Sequence, residues 1–184
     1  MRLEISKILA DYISKKITTD RFEEWVYSCQ NLESELGEEL YLDLISLNFK
    51  DKKSRIEVER ILEDKIDYSE LHKSELLHLI SQVCSKSLSF KESINQLYTW
   101  MDSGYLFLSN IDTIGNFKEQ GKSIIHSIEE NMTEEQMWDI LIKHEPDFFQ
   151  ELESIKSRIE SGHIQITGEY ENTDYYGEQF RYIE

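Results

Sequence analysis

The chain has 184 residues, of which 39% are hydrophobic, so we expect a hydrophobic core and not a disordered acidic tail. It contains one proline, which favours helices over a turn-rich β-sandwich. Twenty Lys and Arg residues oppose 37 Asp and Glu residues, a formal net charge of −17. A field of this sign repels nucleic acid and anionic lipid and attracts a basic protein surface, although net charge also serves solubility alone.

The sequence shows no sign of export or of a membrane span. No apolar run approaches the about 18 residues of a spanning helix, and the first residues lack the apolar core of a signal peptide. Cys29 and Cys84 lie inside helical patterns, which favours free thiols over a disulfide. We therefore expect a soluble, cytoplasmic protein.

Apolar residues in the first half recur at the three- and four-residue spacing of amphipathic helices. Thr19 or Asp20 is the expected cap of the second helix, Gly37 weakens the start of the third, and residues 50–55 are a basic loop or helix start. The five predicted helices are 3–15, the segment from Phe22 to Cys29, 31–47, the segment from Val58 to Ile66, and a helix that opens at Tyr68.

Two capping boxes mark helices in the second half. Ser89 and Thr133 each precede a Glu or Gln by three residues, the spacing at which the two side chains bond each other's backbone N–H. Pro146 fits the first turn of a last helix that ends at Gly162. A helix is also predicted over 122–130, whereas a buried turn, a short strand and a helix all stay open for 105–120.

After residue 162 the hydrophobic period changes to alternation. Ile164, Ile166 and Tyr170 alternate with polar residues, as do Phe180 and Tyr182, which favours two strands joined through 172–177. The predicted fold is mostly α, a helical bundle of about eight helices with an optional small C-terminal β-hairpin. The predicted domains are a helical domain over 1–162, as one body or as two packed halves, 1–87 and 88–162, and a C-terminal strand element over 163–184.

A faint internal similarity links the two halves. Residues 14–18, Ser-Lys-Lys-Ile-Thr, precede one aromatic-rich helix, and residues 85–89, Ser-Lys-Ser-Leu-Ser, precede another. We interpret this as a hint of two helical halves and not as a longer repeat.

The patterns of common catalytic and metal sites are missing from the sequence. Walker, GxGxxG, GxSxG, HExxH, CxxC and calcium-loop motifs are absent. Carboxylate pairs are too frequent in so acidic a chain to mark a catalytic pair. We therefore predict no enzyme activity, no cofactor and no metal site, with a hydrolase whose acids bind a divalent metal as a remaining alternative.

The first candidate binding surface is an acidic ridge on two successive helices. Residues 129–153 contain nine acidic residues and one lysine. Trp138 and Phe148 lie about 100° round the helix from neighbouring acids, so the aromatic rings are expected to face the core and the acids solvent. Ordinary amphipathicity with acids near helix N-termini is the alternative explanation. The candidates are Glu134, Glu135, Asp139, Asp147 and Glu151.

The second candidate surface is the C-terminal tail. Its tyrosines alternate with carboxylates, which suits a protein interface because tyrosine offers rigid contact area with a polar tip and acids pair with Lys or Arg of a partner. A hairpin whose tyrosines cover a helix is the alternative. The candidates are Tyr170, Asp174, Tyr175, Tyr176 and Glu178.

Residues 8–25, Ile-Leu-Ala-Asp-Tyr-Ile-Ser-Lys-Lys-Ile-Thr-Thr-Asp-Arg-Phe-Glu-Glu-Trp, resemble the opening of bacterial immunity proteins similar to the colicin D inhibitor. Asp174-Tyr175-Tyr176 is similar to the paired tyrosines that anchor inhibitors of DNase colicins. The resemblance implies an immunity protein of bacterial competition, a toxin inhibitor that covers the active site of a cognate basic nuclease through protein–protein interaction. The alternative is a helical adaptor or regulator with a non-toxin basic partner.

Overall fold

The computed structural model describes residues 1–62, 65–111, 132–173 and 177–184, and of 171–173, 177 and 178 the backbone alone. Within these ranges the chain forms nine α-helices, one 3-10 helix and a two-stranded antiparallel sheet, so the mostly helical fold with a C-terminal hairpin is confirmed. The elements are α1 (Leu3–Ile13), α2 (Thr19–Ser28), α3 (Leu32–Leu36), α4 (Glu38–Ile45), α5 (Ser54–Leu62), α6 (Tyr68–Cys84), α7 (Phe90–Asp102), the 3-10 helix (Leu106–Asn110), α8 (Glu134–His144), α9 (Phe148–Glu160), β1 (Gln165–Thr173) and β2 (Gly177–Ile183).

The chain divides into two compact units, Met1–Leu71 and His72–Glu184, and the division falls inside α6. Each unit has a hydrophobic core of its own. The predicted halves, 1–87 and 88–162, and the separate element 163–184 stay predictions, because compactness does not establish which segments fold independently.

Aromatic rings form the centre of the first unit. Tyr12 of α1 and Phe22 of α2 are fully buried, and their rings stack with centroids 3.9 Å apart. Arg55 of α5 places its Cζ 4.4 Å from the Tyr12 ring centroid and donates a hydrogen bond to the Tyr12 carbonyl oxygen. Arg55 therefore adds a second donor to a carbonyl at the end of α1 that also accepts from the Lys15 N–H.

Two predicted boundaries in the first unit are wrong. The segment predicted as one helix over 31–47 is divided into α3 and α4, because Gly37 between them has a φ of +83°, which breaks the helical path. The cap of α2 is Thr18, one residue before the predicted candidates, and its hydroxyl oxygen accepts a hydrogen bond from the Arg21 N–H.

The same connection joins α1 to α2 and α6 to α7. Lys15 and Lys86 both have positive φ, +66° and +53°. Each lysine N–H donates to the carbonyl three residues earlier, at 3.1 and 3.0 Å, and the following N–H donates to the carbonyl five residues earlier, at 2.8 and 3.0 Å. This is the Schellman ending of a helix. The similarity of residues 14–18 and 85–89 therefore reflects one local structure formed twice.

The two predicted capping boxes of the second unit are confirmed, at Ser89 and at Thr133. Pro146, predicted in the first turn of the last helix, lies instead in the preceding turn, because α9 begins at Phe148. The uncertain stretch 105–120 contains the 3-10 helix, while residues 112–131, with the helix predicted over 122–130, lie outside the described residues.

The hairpin packs on the core of the second unit. Tyr170 pairs with Phe180, and Ile166 pairs with Tyr182. Between these two pairs β1 has three residues and β2 has one, a bulge in which Gly168 has a φ of +71°. Ile166 is buried, and Phe180 and Tyr182 lie against the core. This burial supplies the stability that two strands lack on their own in water.

Candidate partner-binding surface

The acidic side chains of α8 and α9 point away from the core, as predicted. Trp138 and Phe148 are buried, at 3% and 1% exposure, while Glu135 and Asp139 on α8 are exposed. The amphipathic spacing causes this division, because Asp139 lies about 100° round the helix from the buried Trp138, and Glu135 is four residues before Asp139 on the same face. The predicted orientation of the aromatic and acidic residues is therefore confirmed, whereas binding at the acids stays a prediction.

Glu134 has a structural contact that the sequence did not reveal. Its Oε2 accepts a hydrogen bond of 2.6 Å from the backbone N–H of Phe90, the first residue of α7. The first N–H groups of a helix have no partner within it, and a carboxylate there also favours the helix dipole. Glu134 therefore joins α8 to the start of α7, which makes it less available to a partner than its exposed neighbours.

Asp147 and Glu151 line one open groove along α9. The groove has a volume of about 250 Å³, and Ser154 and Arg158 continue it at helical spacing. Arg158 Nη2 lies 3.2 Å from Glu184 Oε1, so the basic end of the groove is tied to the C-terminal residue. Among the described residues, Glu135 and Asp139 do not line this groove. The predicted ridge thus consists of a grooved part on α9 and a separate exposed pair on α8.

The tail candidates are only partly described. Tyr170 of β1 is 63% exposed, and its ring centroid lies 6.2 Å from that of Phe180 on the paired strand. Asp174, Tyr175 and Tyr176 lie outside the described residues, as does the side chain of Glu178. Of this candidate set, the structure therefore places the Tyr170 side chain alone.

Residues that sequence reasoning missed fix the hairpin to the helices. His72 of α6 donates or accepts a hydrogen bond of 2.8 Å between its Nδ1 and the Tyr105 hydroxyl, and its ring meets that of Phe180 edge-on at 4.4 Å. Burial raises the pKa of Tyr105 above its usual range, so this hydroxyl stays protonated. The aromatic content of the tail was the only sequence signal for this contact. A buried tyrosine hydroxyl usually has a hydrogen-bond partner, and here His72 provides it for Tyr105.

The described residues include no group of three or more His, Cys, Asp or Glu side chains arranged to hold a metal ion. In the same part of the chain, no helix is both long and apolar enough to cross a membrane.

No protein-family model, no curated protein and no solved structure matches the chain. The resemblance of residues 8–25 to immunity proteins therefore stays a prediction. In the structure these residues form the end of α1, the Schellman turn and the first part of α2.

Proposed function

We propose that this protein is an immunity protein of the cytoplasm, without catalytic activity, that neutralises a cognate bacterial toxin by covering a basic active site. The observation that carries the proposal is the set of exposed carboxylates on α8 and α9, which lie over a buried aromatic layer. Basic nuclease sites bind phosphates, and carboxylates held on a rigid helical surface present the same sign of charge to them.

The distribution of charge supports the same proposal. Residues 101–184 carry 18 acidic and 6 basic residues, whereas residues 1–100 carry 19 and 14. A concentrated negative surface raises the rate at which a basic partner associates, and the increase disappears with salt because charges are screened beyond about 8–10 Å. Steering of this kind predicts that neutralising the exposed acids changes the association rate more than the dissociation rate.

The test is co-expression with the protein encoded by the adjacent upstream gene, followed by measurement of growth and of association kinetics. We expect this chain to restore growth and to bind a toxin domain. The double variant Asp147→Asn/Glu151→Gln should lower the association rate about threefold to tenfold at low salt and have little effect at high salt.

A matched control removes the same charge from the first unit. Glu24 and Asp43 are exposed on α2 and α4, and Glu24→Gln/Asp43→Asn should leave the association rate within about twofold of the parent. Equal effects of the two double variants would mean that net charge alone is responsible. A neighbour that is no toxin, or no binding to it, would contradict the proposal and favour an adaptor.

A further inference from the structure

One edge of the C-terminal hairpin is covered by the end of α7. The Phe180 N–H donates to the Ser103 carbonyl oxygen at 2.8 Å, and the Gln179 side-chain amide donates to the Asp102 carbonyl oxygen at 2.9 Å. A Cβ on Gly104 would lie 2.4 Å from the Phe180 carbonyl oxygen, so this oxygen also faces α7. Both backbone groups of Phe180 therefore point away from β1.

The other edge of the hairpin, at Tyr170, is not covered by any of the residues that the structure describes. In an antiparallel ladder, the two residues of a pair either exchange both hydrogen bonds or both point outward. Because Tyr170 pairs with the outward-pointing Phe180, its N–H and C=O lie on the outer edge of β1. Outside the hairpin, no described residue forms a hydrogen bond with either group. Asn172 is two residues further along β1, so its backbone groups face the same edge.

We propose that the outer edge of β1 binds an extended, Lys- and Arg-rich segment of a protein partner as a third strand. Addition of a strand uses backbone hydrogen bonds for affinity and side chains for selection. This inference rests on the proposed function and specifies how a basic partner is held. The Gly168 bulge ends the regular edge on one side, so the docking segment is short, about five residues opposite 169–173.

Charge decides between a basic partner and a second copy of this chain. Residues 165–184 contain five carboxylates and one arginine. Two copies paired through β1, whose sequence contains two glutamates and no basic residue, would bring like charges together, and like charges across a ladder are destabilising. Lysine or arginine side chains on the added strand would instead pair with these carboxylates.

The first experiment measures the Tyr170 amide by NMR in the full-length protein. The probe is a nine-residue peptide that alternates lysine with valine or threonine, added to about 1 mM at low ionic strength. We expect shifts at the Tyr170 and Asn172 amides and about tenfold slower hydrogen exchange at Tyr170. The Glu171 amide, which alternates to the β2 side of the strand, is the internal reference and should change little.

Two control peptides separate strand addition from attraction between charges. A peptide with glutamate in place of lysine should not bind. A peptide of equal positive charge with proline at alternate positions should not slow exchange at Tyr170, because proline has no N–H for the ladder. Equal effects of the proline peptide, no response to the first peptide, or a Tyr170 amide already protected in the free protein would each overturn the proposal. Dimerisation that protects Tyr170 would do so too, since the occupant would be a second copy.

A pair of variants tests the edge against the whole partner. Tyr170→Ala keeps the backbone N–H, whereas Tyr170→Pro removes it from the outer edge without removing a bond of the hairpin itself. We expect Tyr170→Pro to weaken binding at least tenfold more than Tyr170→Ala, with the His72 and Tyr105 ring signals unchanged as evidence that the hairpin is intact. Equal binding by the two variants overturns strand addition. If Asp147→Asn/Glu151→Gln still slows association in that case, the proposed function stands and this inference alone has failed.

Discussion

At Gly104 the backbone of β2 approaches the end of α7 more closely than a side chain allows. A Cβ there would lie 2.4 Å from the Phe180 carbonyl oxygen and 2.7 Å from its nitrogen, and the φ of Gly104 is +117°. Backbone atoms cannot move aside as the tip of a flexible side chain can. A single small residue therefore decides whether the hairpin reaches the core.

We expect Gly104→Ala to lower the free energy of unfolding by about 2–4 kcal/mol, because the clash and the positive φ act together. Gly162→Ala is the matched control. Its φ is +79°, but apart from its neighbours in the chain no described residue has an atom within 4 Å of the added Cβ, so it should cost about 1 kcal/mol from backbone strain alone. Urea denaturation followed by tryptophan fluorescence measures both. Equal losses in the two variants would contradict the close contact between Gly104 and Phe180.

At the scale of the helix, α1 and α6 are each followed by a lysine, Lys15 and Lys86, whose positive φ is unfavourable for a residue with a side chain. Lysine at positive φ has a steric cost that glycine does not. The sequence showed the similar segments but gave no sign of the left-handed residue, since glycine is the usual residue at this position. The surrounding hydrogen bonds and the cap of the next helix hold the lysine in place.

Lys15→Gly should therefore stabilise the protein by about 0.5–1 kcal/mol, the relief of strain less the added freedom of the unfolded chain. Lys86→Gly should gain less, because Lys86 Nζ lies 5.5 Å from the Trp138 ring centroid and 5.6 Å from that of Phe149, contacts that glycine removes. Lys16→Gly, at ordinary φ, is the control and should be neutral or destabilising. Thermal and urea unfolding of the three variants would test this order, and a loss of stability in Lys15→Gly would contradict it.

The start of α6 depends on an ionised aspartate. Asp67 Oδ1 accepts hydrogen bonds from the Ser69 hydroxyl, at 2.6 Å, and from the Ser69 and Glu70 N–H groups, at 3.0 and 3.3 Å. The hydrogen bond from the Ser69 hydroxyl is the main cause of a lowered Asp67 pKa, with burial opposing it. A lowered folded-state pKa stabilises the fold above the unfolded pKa of about 3.9, and this contribution is lost as pH falls through the folded pKa.

Asp67→Ala should cost about 1 kcal/mol near neutral pH, the usual value of a helix cap. The difference from the parent should shrink once the pH falls below about 4, because the parent then loses its charged cap as well. Ser69→Ala should raise the Asp67 pKa toward its ordinary value in an NMR titration of the carboxyl carbon. A stability difference between parent and Asp67→Ala that is constant from neutral to acidic pH would contradict this assignment.

At the scale of the whole molecule, repulsion among acidic residues opposes the folded state. The folded chain carries a net charge of −17, while ion pairs such as Arg2–Glu35 and Arg158–Glu184 lie near the surface. Exposed pairs contribute about 0–1 kcal/mol each. Added salt therefore weakens the repulsion among the acidic residues more than it weakens these ion pairs.

We expect the melting temperature to rise by several degrees as NaCl is raised from about 10 to 200 mM, where the screening length falls well below the size of the molecule. Each kcal/mol corresponds to about 2–4 °C in a protein of this size. Differential scanning calorimetry at constant pH provides the measurement. A melting temperature that falls with salt would mean that ion pairs dominate over the repulsion.

The sequence by itself determined the mostly helical fold, the two capping boxes, the hairpin and the outward orientation of the acids. These depend on residue spacing and on contacts three or four positions apart, which a sequence displays directly. Only the tertiary structure revealed the Glu134 bond to Phe90, the division of residues 31–47 at Gly37, and the edge of β1 that faces away from α7. The Glu134 bond and the β1 edge depend on contacts between residues far apart in the chain. The division at Gly37 depends on a backbone dihedral that glycine permits without requiring, so no local pattern specifies it.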